Sequence, residues 1–293
     1  MQGGAYYTIG SSHVVCEDYA IGRQNYGIIS DGCSNGRGPR IDTDWGARLL
    51  AKAAEEHLYR MNAGFIDWVS DEKLVRAIIE QAAIQVRCLG VTRECLSATL
   101  GIAFVTCGIP RVLLAGDGIY GAKRRDGSVV FYHVEYQPGG TEKNYPACFY
   151  PRYLLELPLF DGYLSRFGGT YKVTTYMGTW DDLKVSEELF GTQRDHFLHG
   201  RSFDVKDHEF VFVGSDGWGT FFKQNPEVGK PALMVPVEHA VRMAINFTDN
   251  TPGFVERQCQ WLFRRNEEGT FVRLGWQHSD DVSFGVLYCG EKP

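Results

Sequence analysis

Aspartates recur at the ends of predicted strands, where several carboxylates could meet. The four aspartates and their strands are Asp18 (before 19–21), Asp31 (after 25–30), Asp216 (after 208–214) and Asp280 (before 282–289). Carboxylates that converge cannot all stay ionised without a counter-cation, and hard oxygen ligands favour Mg²⁺ or Mn²⁺. A single aspartate at a strand end is more often a turn residue or a helix cap. The residues alone therefore indicate an acidic metal site of unspecified chemistry, or a set of ordinary turns.

The elements that would position these aspartates follow from hydrophobic periodicity. Apolar residues at helical spacing predict helices over 44–61, 70–89, 237–247 and 252–266. Ser70 is the predicted N-cap of the second helix, with Gly90 just past its end. Thr251 is the predicted N-cap of the last helix, with Pro252 at its first position. Strands are predicted over 5–9, 19–21, 25–30, 97–106, 111–115, 119–123, 128–134, 208–214, 271–274 and 282–289.

The order of these elements predicts an α+β fold. Strands, two helices, strands, two helices and a final strand place the helices on sheet faces. The chain has neither an internal repeat nor a low-complexity linker, so residues 1–293 are predicted to form a single domain. The range 137–207 is the least regular and is rich in Tyr, Phe, Gly and Pro. It is predicted to be a flap-like insertion, since long insertions of this kind often act as lids.

Six short motifs occur in order along the chain: Glu17-Asp18, Ser30-Asp31-Gly32, Ser97-Ala98-Thr99-Leu100, Ala115-Gly116-Asp117-Gly118, Gly214-Ser215-Asp216-Gly217-Trp218 and Ser279-Asp280-Asp281-Val282-Ser283. Their order and context resemble the protein phosphatase 2C family, a family of metal-dependent Ser/Thr protein phosphatases. The resemblance covers about residues 8–289, and two helices lie in each expected gap. The sequence looks divergent, and it is more like the bacterial branches of the family than the eukaryotic enzymes.

The resemblance implies a four-layer α-β-β-α sandwich, in which two antiparallel sheets are flanked by helix pairs. It implies two Mg²⁺ or Mn²⁺ ions bridged by Asp31, with the Gly32 carbonyl on one ion and Asp216 and Asp280 on the other. Asp18 would act through metal-bound water. A water or hydroxide bridging the metals would attack the phosphorus of phosphoserine or phosphothreonine in line.

Departures from the family pattern qualify that expectation. His13 stands where many members carry the arginine that grips the substrate phosphate. His13 is either a phosphate contact or a surface histidine, and Arg23, Arg37 or Arg40 could replace the arginine. Cys33 stands where eukaryotic members place the histidine proposed as the acid for the leaving alkoxide. Gly118 replaces the usual Ser after Gly-Asp, and Thr220 replaces an Asp near a third metal site, to which Asp117 could contribute.

The composition of the chain indicates which kinds of molecule it can bind. The chain has 36 acidic residues (Asp+Glu) against 30 basic residues (Lys+Arg), a formal net charge of −6, which disfavours a nucleic-acid partner. Neither a signal peptide nor a long apolar span is apparent, and eight scattered cysteines suit a reducing compartment. The expectation is a cytoplasmic monomer that acts on phosphorylated proteins and contacts no membrane. The alternative is a catalytically weak or inactive relative that keeps the fold and binds a partner.

Overall fold

The computed structural model describes most of the chain. The described residues are 1–32, 43–68, 70–91, 93–96, 98–138, 169–191, 198–225, 227 and 229–290. Within these ranges, the strands are β1 (Gln2–Thr8), β2 (Tyr19–Arg23), β3 (Tyr26–Ser30), β4 (Leu100–Thr106), β5 (Ile109–Ala115), β6 (Gly118–Arg124), β7 (Val129–Pro138), β8 (Gly169–Thr179), β9 (Asp182–Gly191), β10 (Leu198–Ser202), β11 (His208–Gly214), β12 (Phe221–Lys223), β13 (Leu233–Met234), β14 (Gln277–His278) and β15 (Val282–Tyr288).

The strands form two main antiparallel sheets and a small one. The seven-stranded sheet has the order β1-β15-β11-β6-β7-β8-β9, and the five-stranded sheet has the order β10-β5-β4-β3-β2. The small sheet has the order β13-β12-β14. All the pairings between these strands are antiparallel.

Helices cover the outer faces of the two main sheets. Helices α1 (Thr43–Asn62) and α2 (Asp71–Leu89) pack on the five-stranded sheet, while α3 (Val237–Ala244) and α4 (Phe254–Leu262) pack on the seven-stranded sheet. The two sheets face each other between these helix pairs. The predicted α+β fold with four layers is therefore confirmed.

Strand β11 shows how one strand serves two layers. Successive side chains of a strand point to opposite faces of its sheet. Val211 and Val213 join the core between the sheets, whereas Phe210 and Phe212 join the core beneath α3 and α4. All four side chains are buried, which explains why the run 210–213 is continuously apolar.

The helix caps agree with the sequence in one case and differ in another. Ser70 caps α2, because its hydroxyl accepts a hydrogen bond from the Lys73 N–H, and Gly90 ends the helix in the left-handed conformation. The predicted Thr251 cap is wrong, because α4 begins after Gly253. The Thr251 N–H and hydroxyl both donate to Asp249 Oδ1, so Thr251 belongs to a turn that precedes the helix.

Other differences concern strands. The predicted strand 271–274 is wrong: the Gly275 N–H donates to the Phe271 carbonyl, which closes a turn there. In the described part of the range 137–207, β8, β9 and β10 are regular strands that extend the two sheets. The β8–β9 hairpin was missed because β9 is largely polar and Glu187 interrupts the alternation of Leu183, Val185 and Leu189.

Across the part of the chain that the structure describes, none of the helices combines the length and the apolar character needed to cross a bilayer.

Candidate active site

The register of the five-stranded sheet brings Asp18 and Asp31 together. Tyr19 pairs with Ser30 at the open end of the β2–β3 hairpin, so the residues just beyond that pair, Asp18 and Asp31, lie beside each other. Leu100 of β4 pairs with Ala115 of β5 at the same end of this sheet. Gly116 and Asp117, which follow β5, therefore lie close to the carboxylates of Asp18 and Asp31.

The seven-stranded sheet supplies the remaining aspartates at the same end. Gly214, the last residue of β11, pairs with Phe284 of β15 and with Ile119 of β6. Asp216, which follows β11, therefore lies at the same end of the sheet as Asp280, which precedes β15. Asp117 lies in the short link from β5 to β6, which crosses from one sheet to the other. The predicted metal ligands and the predicted third-site aspartate thus share one end of the sandwich.

Short backbone contacts hold the Asp31 segment in place. The Thr99 N–H donates to the Asp31 carbonyl over 2.8 Å, and the Gly32 N–H donates to the Glu17 carbonyl over 3.2 Å. The Ser30 hydroxyl donates to the Thr99 carbonyl over 2.8 Å. These bonds tie the Asp31 segment to Glu17, directly before Asp18, and to Thr99, directly before β4.

Two glycines are required by the packing at this end. A Cβ at Gly217 would overlap the Asp281 carbonyl oxygen, so only glycine lets the segment after β11 approach the segment before β15. Gly118 has a φ of +131°, and a Cβ there would overlap the Gly214 carbonyl oxygen. Glycine at position 118 therefore suits the backbone of this chain.

The Asp18 carboxylate is the most buried of the cluster. Its exposed fraction is 1%, and neither of its oxygens has a hydrogen-bond partner of normal geometry among the described residues. The Ser215 and Ser283 hydroxyls lie near enough to lower its pKa, although burial outweighs them. Asp31, Asp117 and Asp216 are half-buried, so they lie deep in the protein yet remain in contact with solvent.

Burial and mutual repulsion raise the pKa values of these carboxyls. Burial raises the pKa of Asp18 to about 7 and that of Asp117 to about 6. The pKa of Asp216 rises to about 8, through burial and then the charges of Asp117 and Asp280. Burial and then the charges of Asp18, Asp216 and Asp280 raise the pKa of Asp31 well above its usual range. The charges act on one another, so the carboxylates form a single electrostatic cluster.

His13 lies at the edge of this cluster with both ring nitrogens facing carboxylates. Nε2 lies 3.2 Å from Asp280 Oδ1, and Nδ1 lies 3.1 Å from Asp281 Oδ2. Burial lowers the pKa of His13, but the charge and hydrogen bond of Asp281 and the charge of Asp280 outweigh it, so the pKa is raised. His13 therefore braces Asp280 in this structure, and its predicted role as a phosphate contact stays a prediction.

Asp281 is a structural member of the site that sequence reasoning missed. Its carboxylate is 2% exposed and accepts the Gly10 N–H over 2.7 Å and the Glu17 N–H over 2.5 Å. It thereby fastens the segment that carries His13 and Asp18. The sequence signal for this residue was the Asp280-Asp281 pair itself, in which only Asp280 was predicted to be a metal ligand.

Other residues singled out in the sequence have clear positions. Arg23 lies at the opposite end of β2, where it pairs with Tyr26 in the hairpin and forms an ion pair with Glu55 over 2.7 Å. It is therefore remote from the carboxylates. The Thr220 hydroxyl donates to the Gly217 carbonyl and accepts the Asp280 N–H, so it orients the segment before β15. Cys33, Arg37, Arg40 and Ser97 lie outside the described residues.

The donor set fits a hard divalent cation. In the described ranges, no group of three or more His, Cys, Asp or Glu side chains has the preformed arrangement of a metal-ion site. The Asp18 oxygens, however, are buried without hydrogen-bond partners of normal geometry in the part of the chain that the structure describes. The pKa values of Asp18 and Asp216 are raised because burial and neighbouring carboxylates disfavour their ionised forms. A divalent cation would supply both the missing partner and the missing positive charge, and oxygen-only donors suit Mg²⁺ or Mn²⁺.

Comparison with known proteins gives matches among solved structures only. No family model matches the sequence, and no curated protein matches it. The serine/threonine phosphatase PstP/Ppp of Mycobacterium tuberculosis has 14% sequence identity and a TM-score of 0.43, with 97% of each chain covered.

Two further solved structures are similar to this chain. PppA, described as a key regulatory component of T6SS in Pseudomonas aeruginosa, has 14% identity and a TM-score of 0.41, with 97% of this chain and 96% of that chain covered. The serine/threonine phosphatase of S. agalactiae has 11% identity and a TM-score of 0.46, with 98% of each chain covered.

Proposed function

We propose that this protein is a cytoplasmic, metal-dependent phosphoprotein phosphatase that hydrolyses phosphoserine and phosphothreonine in phosphorylated proteins. The observation that carries the proposal is the cluster of Asp18, Asp31, Asp117, Asp216 and Asp280 at one end of the sandwich, with raised pKa values. The ordered motifs that place these aspartates are those on which the resemblance to the phosphatase 2C family rests.

The residues that would hold two Mg²⁺ or Mn²⁺ ions are Asp31, the Gly32 carbonyl, Asp216, Asp280 and Asp18, with Asp117 beside them for a third ion. Bound ions would activate water as the nucleophile and offset the charge that develops on the phosphoryl oxygens. Neither a nucleophilic cysteine nor a nucleophilic serine is required for this chemistry.

The other side chains of the site support this donor set. Asp281 fastens residues 10–17 to the segment before β15 through two backbone N–H groups. His13 donates to Asp280 and Asp281 when both ring nitrogens are protonated, which restrains Asp280. The Thr220 hydroxyl accepts a hydrogen bond from the Asp280 N–H, which restrains the backbone of Asp280. These contacts hold the carboxylates close together despite their repulsion.

The test is hydrolysis of p-nitrophenyl phosphate and of a phosphothreonine peptide by the purified protein, with Mn²⁺ and with EDTA. Release of phosphate that requires Mn²⁺ is expected. Asp216→Asn should remove activity, while Asp67→Asn, at an exposed position away from the cluster, should leave it unchanged. Mn²⁺-loaded wild-type protein that hydrolyses neither substrate would contradict the enzyme proposal.

A second candidate is a binding protein that keeps the fold and the metal without turnover. Two observations favour it: both ring nitrogens of His13 are already engaged by carboxylates, and Arg23 is remote from the cluster. The phosphate-gripping cation of the family therefore has no evident replacement among the described residues. Calorimetry that finds tight Mn²⁺ binding, together with an absence of turnover, would favour this candidate over the enzyme.

A further inference from the structure

Strand β9 is an exposed edge of the seven-stranded sheet. It pairs with β8 on one side, and none of the described strands pairs with its other side. Val185 and Leu189 are 56% and 67% exposed, and most of the strand is exposed. A long, open edge strand with exposed apolar side chains is a template for pairing with another chain.

The two faces of β9 differ in character. One face carries Leu183, Val185, Glu187 and Leu189, and the charge of Glu187 is already paired, because Lys172 Nζ lies 2.7 Å from its carboxylate. The other face carries Lys184, Ser186 and Glu188. Neither Lys184 nor Glu188 has an ion pair within the described ranges. The strand therefore presents an apolar stripe on one face and two unpaired opposite charges on the other.

Symmetry restricts how two copies of β9 can pair. In an antiparallel pair, residues directly opposite each other point to the same face, whereas neighbours along one strand point to opposite faces. A two-fold axis perpendicular to the sheet keeps the faces unchanged. One residue of β9 must therefore lie opposite its own copy, and the choice of that residue sets every other pair.

The register centred on Ser186 pairs both charges of one face and the outer leucines of the other face. It places Lys184 opposite Glu188 of the partner subunit, and Glu188 opposite the partner subunit's Lys184. On the other face it places Leu183 opposite Leu189 of the partner subunit, and Val185 opposite Glu187 of the partner subunit, whose charge is already paired with Lys172 in its own chain. Opposite charges and apolar side chains directly across an antiparallel pair are favourable.

The neighbouring registers are worse. A register centred on Val185 places Glu188 opposite Asp182 of the partner subunit. A register centred on Glu187 places that carboxylate opposite its own copy. Like charges directly opposite each other destabilise a strand pair, so charge complementarity selects Ser186 as the centre.

We propose that two copies of this chain associate through β9, antiparallel and centred on Ser186, to join their seven-stranded sheets into one continuous sheet. This interface is independent of the proposed catalytic function, because β9 lies at the far edge of the sheet from β1, β15 and β11. A dimer of this kind differs from the monomer expected from the sequence.

The test is sedimentation equilibrium over a concentration series, with circular dichroism to show that each variant is folded. The wild-type protein should reach twice the 33.0 kDa mass of the chain. Lys184→Glu should weaken association at least tenfold, because it places like charges across the axis twice. The double variant Lys184→Glu/Glu188→Lys exchanges the two charges and should restore the association. Lys230→Glu, an exposed charge reversal elsewhere, is the matched control and should associate like the wild type.

Three results would overturn the proposal. A wild-type protein that stays monomeric at the highest concentration would show that the second copy is the wrong occupant of this edge. A dimer unaffected by Lys184→Glu would place the interface elsewhere. A folded double variant that fails to recover would refute the register.

Discussion

Asp18 and Asp281 are two buried aspartates for which the structure predicts opposite responses to the same substitution. They are 1% and 2% exposed. Asp281 accepts two backbone N–H groups and contacts His13, whereas the Asp18 oxygens have no hydrogen-bond partner of normal geometry among the described residues. Without metal, Asp18→Asn should therefore stabilise the folded protein, and Asp281→Asn should destabilise it.

The magnitude for Asp18 follows from its pKa. Burial raises this pKa from 3.8 to about 7, so the folded chain holds the proton more tightly than the unfolded chain. Stability is therefore lost as pH rises from about 4 to about 7. At about 1.4 kcal/mol per pH unit, the ionised carboxylate costs about 4 kcal/mol at pH 8. An unpartnered amide costs about 1–3 kcal/mol, so Asp18→Asn should raise the free energy of unfolding by about 1–3 kcal/mol.

For Asp281→Asn the sign is reversed. The substitution replaces one accepting oxygen with an NH₂ group that faces a backbone N–H. The loss of a charge-assisted hydrogen bond and the unpaired donors should lower the free energy of unfolding by about 2–4 kcal/mol. At roughly 2 °C per kcal/mol for a chain of this size, the two variants should shift Tm in opposite directions by several degrees.

The assay is urea unfolding in EDTA at pH 8 and at pH 5, followed by the same measurement with Mn²⁺. The advantage of Asp18→Asn should shrink at pH 5, where the wild-type carboxyl is protonated. Mn²⁺ should stabilise the wild type more than Asp18→Asn. If Asp18→Asn lowers stability at pH 8 in EDTA as much as Asp281→Asn does, then the Asp18 carboxylate is well solvated or bonded, and the reasoning is refuted.

Three further substitutions test the site. Asp31→Asn should lower Mn²⁺ affinity at least tenfold in calorimetry and abolish phosphatase activity with it; loss of activity with unchanged affinity would remove Asp31 from the metal ligands. In the wild type, protonated His13 should stabilise the fold fully below pH 6.5, and this stabilisation should fade as pH rises through the raised pKa of His13. His13→Gln should abolish this pH-dependent contribution. Identical pH profiles of urea unfolding for the variant and the wild type would contradict the pairing of His13 with Asp280 and Asp281. Gly217→Ala should cost about 1–3 kcal/mol because its Cβ overlaps the Asp281 carbonyl, whereas Gly219→Ala, whose Cβ would lie 3.4 Å from His133, should be tolerated; equal melting temperatures for the two variants would argue against the close approach.

Local signals in the sequence were enough for much of the secondary structure. The strand predicted over 208–214, around the apolar run 210–213, has the bounds of β11 in the structure, and Ser70 and Gly90 predict both ends of α2. These features depend on residues a few positions apart, so they can be identified without tertiary contacts. Cap chemistry failed at Thr251, where a competing hydrogen bond to Asp249 holds the chain in a turn.

The sequence by itself determined the residue types of the candidate site and their places at strand ends. Only the tertiary structure decided which of them meet, because strand register joins residues far apart in the chain, as in the bond from the Gly10 N–H to Asp281. It also decided that His13 braces two carboxylates and that Arg23 lies at the wrong end of β2. The edge position of β9 likewise depends on the whole sheet order, since no local pattern distinguishes an edge strand with one partner from a central strand with two.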